Sequence, residues 1–269
     1  MPMQNMPNVQ YETLLVDVAE HIATVTLNRP DVRNAFNETM IAELSAAFTA
    51  LGARDDVRAI VLAGNGKAFC AGADLNWMRK MAGYSDAENR ADAMGLAQML
   101  AAVYRCPKPV IARVQGDAYA GGMGLVCTAD IVVAADTVNF CLSEARLGLM
   151  PATIAPYVIR ALGEQASRRY FVTAEAFDCA TALRLGLVSE AVSAADLDAT
   201  VQRLAQTLCA NSPNAVRECK QLVQDVASAP IDDALIADTA ARIARIRASD
   251  EGRDGVSSFL EKRTPRWRA

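Results

Sequence analysis

The sequence predicts an α/β fold followed by a helical C-terminal region, on three observations. Short β-branched runs alternate with apolar residues at helical spacing through residues 1–192. The run Ala59–Ala63 is apolar at every position, as a strand covered on both faces is. Past Val192 only helical spacing recurs, over residues 193–269. With 269 residues, 52% of them hydrophobic and 22% charged, the chain can bury a large core, and disordered or low-complexity readings fail.

In chain order, Tyr11–Val18 and Ile22–Leu27 read as the strands of a hairpin, and Asn28-Arg29-Pro30 ends the second. Asn37 suits a helix cap before Met40, Ile41, Leu44, Ala47, Phe48 and Leu51, which fall on one helix face. Asp86–Tyr104 reads as a helix, closed by Pro107 and Pro109 ahead of a strand at Val110–Val114. The glycines from Gly121 open a loop into a buried helix, and Ile131–Ala134 is the next strand. The segment around Met150–Thr153 is irregular. Helical patterns then cover 164–172, 175–185, 196–210, 213–226, 231–248 and 252–260, interrupted by a strand at Leu187–Val192. The apolar content of the tail points to burial against its own core or a second copy of the chain.

A net charge of −4 gives no field for nucleic acid or an anionic membrane. Seven cysteines, odd in number and never spaced Cys-x-x-Cys, argue against a zinc site or a disulfide framework. The only histidine, His21, removes mechanisms that need a histidine pair and suits a turn between strands. No apolar run reaches the roughly 18 residues of a membrane span, and the leader has neither a signal core nor a transit pattern, so cytoplasmic residence is expected. Gly64-Asn-Gly66-Lys67 fails as a phosphate loop, because Val61 and Ala68 stand where glycine and Ser or Thr are needed. Gly121, Gly122 and Gly124 lack the last glycine of a dinucleotide fingerprint, where Cys127 stands. Ser143 is not in a nucleophile elbow.

Two glycine-bearing loops remain, Ala68-Phe-Cys-Ala-Gly-Ala-Asp-Leu75 and Gly116-Asp-Ala-Tyr-Ala-Gly-Gly-Met-Gly124, each at the mouth of a helix. Amides at helix N-termini are unpaired donors, so two such loops could aim two amides at one oxygen. Small residues at Ala71, Gly72, Ala73, Gly121 and Gly122 let an oxygen-bearing ligand approach the main chain, and they equally suit tight turns and close packing.

In these motifs the chain resembles the crotonase, or enoyl-CoA hydratase/isomerase, superfamily. The resemblance is carried in order by Leu27-Asn-Arg-Pro30 with Asn34-Ala35, the two loops, Pro107-Lys-Pro109, Ala129-Asp130-Ile131, Ser143-Glu144 and Phe259-Leu-Glu-Lys-Arg-Thr-Pro265. Asp74-Leu-Asn-Trp-Met-Arg79 and Phe140-Cys-Leu-Ser-Glu-Ala-Arg-Leu-Gly-Leu149 are most similar to bacterial methylglutaconyl-CoA hydratases.

The resemblance implies a spiral of β-β-α units, a helical trimerisation region, and a homotrimer or dimer of trimers. It implies that the amides of Ala73 and Gly121 hold a thioester oxygen, with Glu144 as the acid–base carboxylate. Read alone, Glu144 could equally be an exposed or ion-paired acid. Arg29, Ala71, Asp74 and Leu75 would border the CoA site, with Gly72, Gly122 and Gly124 lining the approach. Lys262 and Arg263 could meet CoA phosphates or form a solvated tail. Arg146, two residues from Glu144 in a segment read as extended, is the candidate cation for a distal acyl carboxylate, with Arg79 and Lys80 behind it; an ion pair supporting the loop is the alternative. One departure matters: the family's hydratases carry a second glutamate where this chain has Gly124. The implied activity is hydration of a 2-enoyl-CoA, short and branched, such as 3-methylglutaconyl-CoA, with no metal or redox cofactor, CoA being part of the substrate. A Δ3–Δ2 enoyl-CoA isomerase, or an inactive acyl-CoA-binding protein, is the alternative.

Overall fold

The computed structural model describes residues 10–268; the start of the leader lies outside them. Strands β1 (Leu14–Ala19) and β2 (Ile22–Leu27) form the hairpin, turned by Glu20 and His21 at φ 50° and 67°. Two consecutive positive φ values match the strand twist of such a turn. Helix α1 (Glu38–Gly52) follows, capped by the Asn37 side chain, which accepts from the Met40 N–H at 2.9 Å. Next come β3 (Ala59–Gly64), α2 (Leu75–Met81), α3 (Asp86–Tyr104), β4 (Val110–Val114), β5 (Ala118–Tyr119) and α4 (Gly121–Val126). The middle of the chain continues with β6 (Ile131–Ala135), β7 (Asn139–Cys141), a 3₁₀ turn at Glu144–Leu147, α5 (Ala155–Leu162) and α6 (Glu164–Thr173). The remainder is β8 (Ala176–Asp178), α7 (Cys179–Leu185), β9 (Glu190–Val192), α8 (Leu197–Cys209), α9 (Pro213–Val226), α10 (Asp233–Ala248) and α11 (Asp250–Glu261).

A six-stranded sheet runs β1-β2-β3-β4-β6-β9, parallel apart from the hairpin, and a small sheet runs β5-β7-β8. The chain winds between them. From β4 it crosses to β5 and enters α4; from β6 it crosses to β7 and leads on to α5. From β3 it makes two isolated bridges, Cys70 to Ala118 and Ala73 to Phe36, before α2. These are the turns of a crotonase-like β-β-α spiral, and they bring the small-sheet crossings and the helix starts that follow them to one end of the molecule.

The main core lies between the large sheet and α1, α3 and α4, with Phe36, Met40, Phe48, Leu62, Phe69 and Leu100 fully buried. On the sheet's other face Leu197, Val201 and Ala205 of α8 pack against Ile22, Val61, Ile111 and Val133. The division at 192/193 thus falls between β9 and a helix that lies on the sheet. Beyond it, α9 and α10 bury no residue fully within one chain.

Two element readings are corrected. The helix expected over 175–185 is β8 followed by α7: Ala174 takes a left-handed φ of 51° that ends α6, and Asp178 caps α7 by accepting from the Thr181 N–H. The irregular stretch near Pro151 leads directly into α5, whose Pro156 lies in the first turn, where its missing N–H costs nothing.

Candidate active site

The first loop is braced by polar groups. Asn34, fully buried and at φ 54°, donates from Nδ2 to the carbonyls of Asn65, Ala68 and Phe69 at 2.8, 3.1 and 3.1 Å. Its Oδ1 accepts from the Arg29 N–H at 2.9 Å. The Arg29 guanidinium donates to the Ala35 carbonyl at 2.6 Å and to Asp74 Oδ2 at 2.9 Å. Asp74 caps α2, its Oδ1 accepting from the Asn76 and Trp77 N–H groups. Burial pushes the Asp74 carboxyl up, but the hydrogen bonds from Asn76, Arg29 and Trp77 outweigh it and hold the group below the ordinary carboxylate value. Arg29 and Asp74, expected to border the CoA site, form an ion pair that holds the loop. Ala71 and Leu75 are exposed beside it.

This bracing leaves the Ala73 amide bare. Phe36 bridges to Ala73 in parallel fashion, its N–H going to the Gly72 carbonyl and its carbonyl accepting from Asp74. The N–H of Ala73 points away from that bridge and has no acceptor among the described residues.

The second loop is braced by packing. Ala120 donates to the Cys141 carbonyl at 2.8 Å and takes φ 48° and ψ −121°, a backbone region that L-residues rarely adopt. That turn starts α4 with the Gly121 N–H unpaired among the described residues, since the first helical bond is Gly124 N–H to the Ala120 carbonyl at 3.0 Å. The two loops touch. A Cβ on Gly72, which has φ 92°, would stand 3.0 Å from Ala120 Cβ and 3.7 Å from the Gly121 nitrogen. A Cβ on Gly122 would lie 2.4 Å from the Cys70 carbonyl oxygen, so only glycine fits there.

Glu144 enters from the strand next door. β5 pairs with β7, so the chain leaves Cys141 beside Ala120 and reaches Glu144 three residues later. Oε2 of Glu144 is buried with no hydrogen-bond partner among the described residues. Burial pushes its carboxyl above the ordinary value, offset only by a bond from its own backbone. A carboxylate oxygen that is desolvated and has no hydrogen-bond partner has no structural duty to explain its burial.

Other expected residues are placed differently. Glu144 and Arg146 lie on a 3₁₀ turn, not in an extended segment, so side chains two residues apart point about 120° apart. Arg146 is turned to the Ala174 carbonyl at the end of α6. Gly124 is buried under Ile154 and brings no side chain to the cleft. Lys80 pairs with Glu38 at 2.8 Å, Arg79 donates to Asn76, and Arg263 is engaged by Asp254 and Glu261. Lys262 serves as the left-handed cap of α11. Asn34, Phe36 and Ile154 shape the site without having been singled out for it. Asn34 stood within a quoted motif, whereas nothing in the local sequence marks Ile154.

Comparisons with known proteins identify relatives over nearly the whole chain. The family model for enoyl-CoA hydratase/isomerase matches residues 17–269. The crystal structure of an enoyl-CoA hydratase from Shewanella pealeana ATCC 700345 superposes with TM-score 0.93 at 42% identity, covering 96% of this chain and 97% of that one. An enoyl-CoA hydratase structure from Mycobacterium smegmatis gives TM-score 0.90 at 36% identity, covering 96% and 99%. Mevalonyl-coenzyme A hydratase sidH of Aspergillus fumigatus is 32% identical over 250 residues, 92% of each chain.

Proposed function

This chain belongs to the enoyl-CoA hydratase/isomerase family, and from that premise we propose that it adds water reversibly to a short, branched 2-enoyl-CoA such as 3-methylglutaconyl-CoA. The observation that carries the reading is the buried, unpartnered Oε2 of Glu144, three residues past the strand end that bonds Ala120 and next in the fold to the turn that leaves the Gly121 N–H unpaired.

In the proposed reaction, the thioester oxygen accepts from the Ala73 and Gly121 N–H groups. The Glu144 carboxylate takes a proton from water as the hydroxide adds to the β-carbon, and the double-bond electrons move onto the thioester oxygen. The two fixed donors stabilise that charge where it develops, and losing one such donor typically costs about 2.7–4 kcal/mol of barrier. Glu144, now protonated, returns its proton to the α-carbon. The step calls on no metal or redox cofactor, and CoA arrives with the substrate.

Glu144→Gln should lower hydration of but-2-enoyl-CoA and 3-methylglutaconyl-CoA by about 10²–10⁴-fold, read as loss of the enoyl thioester absorbance. Because the working form is the carboxylate and its pKa is raised, wild-type kcat/KM should fall as pH drops through a value above the ordinary 4.5. Unchanged turnover in the variant removes Glu144 as the base. Isomerisation of a 3-enoyl-CoA is the second reading, favoured by the missing side chain at Gly124, since one carboxylate suffices to move a proton between carbons. Product analysis separates it from hydration, and binding without turnover of either substrate marks an inactive acyl-CoA-binding protein.

We further propose a trimer or paired trimers assembled through the helical tail. Ile231 and Phe259 are 88% and 84% exposed there, with Val223, Val256 and Leu260 also exposed. Sedimentation of the full chain should give the mass of three or six copies.

A further inference from the structure

The first turn of α4 sends no ionisable side chain toward the cleft, and the reason is steric at each glycine. A Cβ on Gly121 would stand 3.0 Å from the Phe36 ring, and one on Gly122 would stand 2.4 Å from the Cys70 carbonyl oxygen. At Gly124 the obstacle is a side chain. Cγ2 and Cβ of Ile154 lie 2.1 and 2.5 Å from where a Cβ would be. Ile154 is the N-cap of α5 and 1% exposed, so the space in front of Gly124 is filled from a different element. Gly124 sits one helical turn from Ala120, which is bonded to the strand that delivers Glu144.

We propose that Ile154 is a positioning residue: by filling the space before Gly124 it keeps that flank of the cleft dry and denies it a second ionisable group, so that Glu144 alone takes the proton from water and returns it to the α-carbon. The inference rests on the hydration proposed above. One O–H bond of water breaks and its proton passes to Glu144. The C–O bond forms at the β-carbon while the π electrons pass to the thioester oxygen, and collapse of that enolate takes the same proton at the α-carbon.

The groups around Glu144 fit a lone carboxylate. Cys141 on β7 and Tyr119 on β5 are raised by burial, and Arg146 on the same turn is held at Ala174. Helix α4 carries no titratable side chain. On α6, Arg168 and Arg169 pair with Glu164 and Glu175 at 3.6 and 2.6 Å, and on α5 Tyr157 is raised by burial while Arg160 donates to the Pro156 carbonyl.

The test is the pH dependence of kcat/KM for but-2-enoyl-CoA hydration in wild type, Ile154→Ala and Gly124→Glu/Ile154→Gly. Glycine is needed at 154 in the pair because Cβ of Ile154 itself blocks position 124. The wild type should show one acid limb. Ile154→Ala, which admits water, should move that limb to lower pH, and the double variant should add a second titration. An acid limb that stays in place in Ile154→Ala overturns the proposal, as does a folded double variant with a single titration. Should the double variant not fold, Ile154→Ala decides alone, because loss of packing by itself does not move a titration. Absence of wild-type turnover would instead overturn the hydratase reading itself.

Discussion

The two loops that present bare amides are held in opposite ways. The Ala73 loop is tied by charge and hydrogen bonds: Asn34 reaches three carbonyls and Arg29 pairs with Asp74, which in turn caps α2. The Gly121 turn is wedged by contact: Phe36, Cys70 and Ile154 press on three glycines, and Ala120 stores the strain of the turn. The difference follows from composition. The first loop is braced by polar side chains that can be buried because their hydrogen bonds are satisfied, while α4 is made of glycine and apolar residues and is held by close packing. An amide can thus be fixed by a network that senses pH or by a fit that senses volume.

Substitutions can break this contrast. The largest effect is expected at Gly122→Ala, whose methyl would meet backbone and not a yielding side chain: about 3 kcal/mol lost in urea unfolding, independent of pH. Asp74→Asn keeps an oxygen for the α2 cap but leaves Arg29 unpaired, at a cost of about 1.5–3 kcal/mol. Its signature is pH dependence. Asp74 has a depressed pKa in the folded chain, so its contribution is complete above the ordinary 3.8 and is lost as pH falls through the folded value. The variant should therefore differ most from wild type at neutral pH and converge with it in acid. A Gly122→Ala deficit that also fades in acid would erase the distinction between the loops. The smallest change is expected at Ala120→Gly, which relieves about 1–3 kcal/mol of backbone strain and returns about 0.4–1 kcal/mol through unfolded-state freedom, for a modest rise in Tm.

The parts of the fold that were legible carry their own punctuation. Helix α3 begins at Ser85 with a complete capping box and closes before Pro107, and α9 begins at Pro213 behind the Ser212 cap, so local chemistry marks their ends. Strand β8 and helix α5 were not legible because each is short and owes its form to neighbours: β8 exists by pairing with β7, and α5 by packing on α4. In the site, glycine spacing marked the two loops that the fold brings into contact. The orientation of Arg146 was hidden because a single 3₁₀ turn leaves no periodic trace, and Ile154 was hidden because its partner at Gly124 is distant in sequence. Volume complementarity between remote residues is invisible until the chain is folded.

The central claim is that the Ala73 and Gly121 amides converge on one thioester oxygen while Glu144 faces the carbons beside it. A crystal structure of the Glu144→Gln variant with but-2-enoyl-CoA bound measures this directly. The account predicts the thioester oxygen about 2.7–3.1 Å from both nitrogens, with the residue 144 side chain over the α- and β-carbons. An oxygen bonded to neither amide, or a residue 144 turned out to solvent, would contradict it.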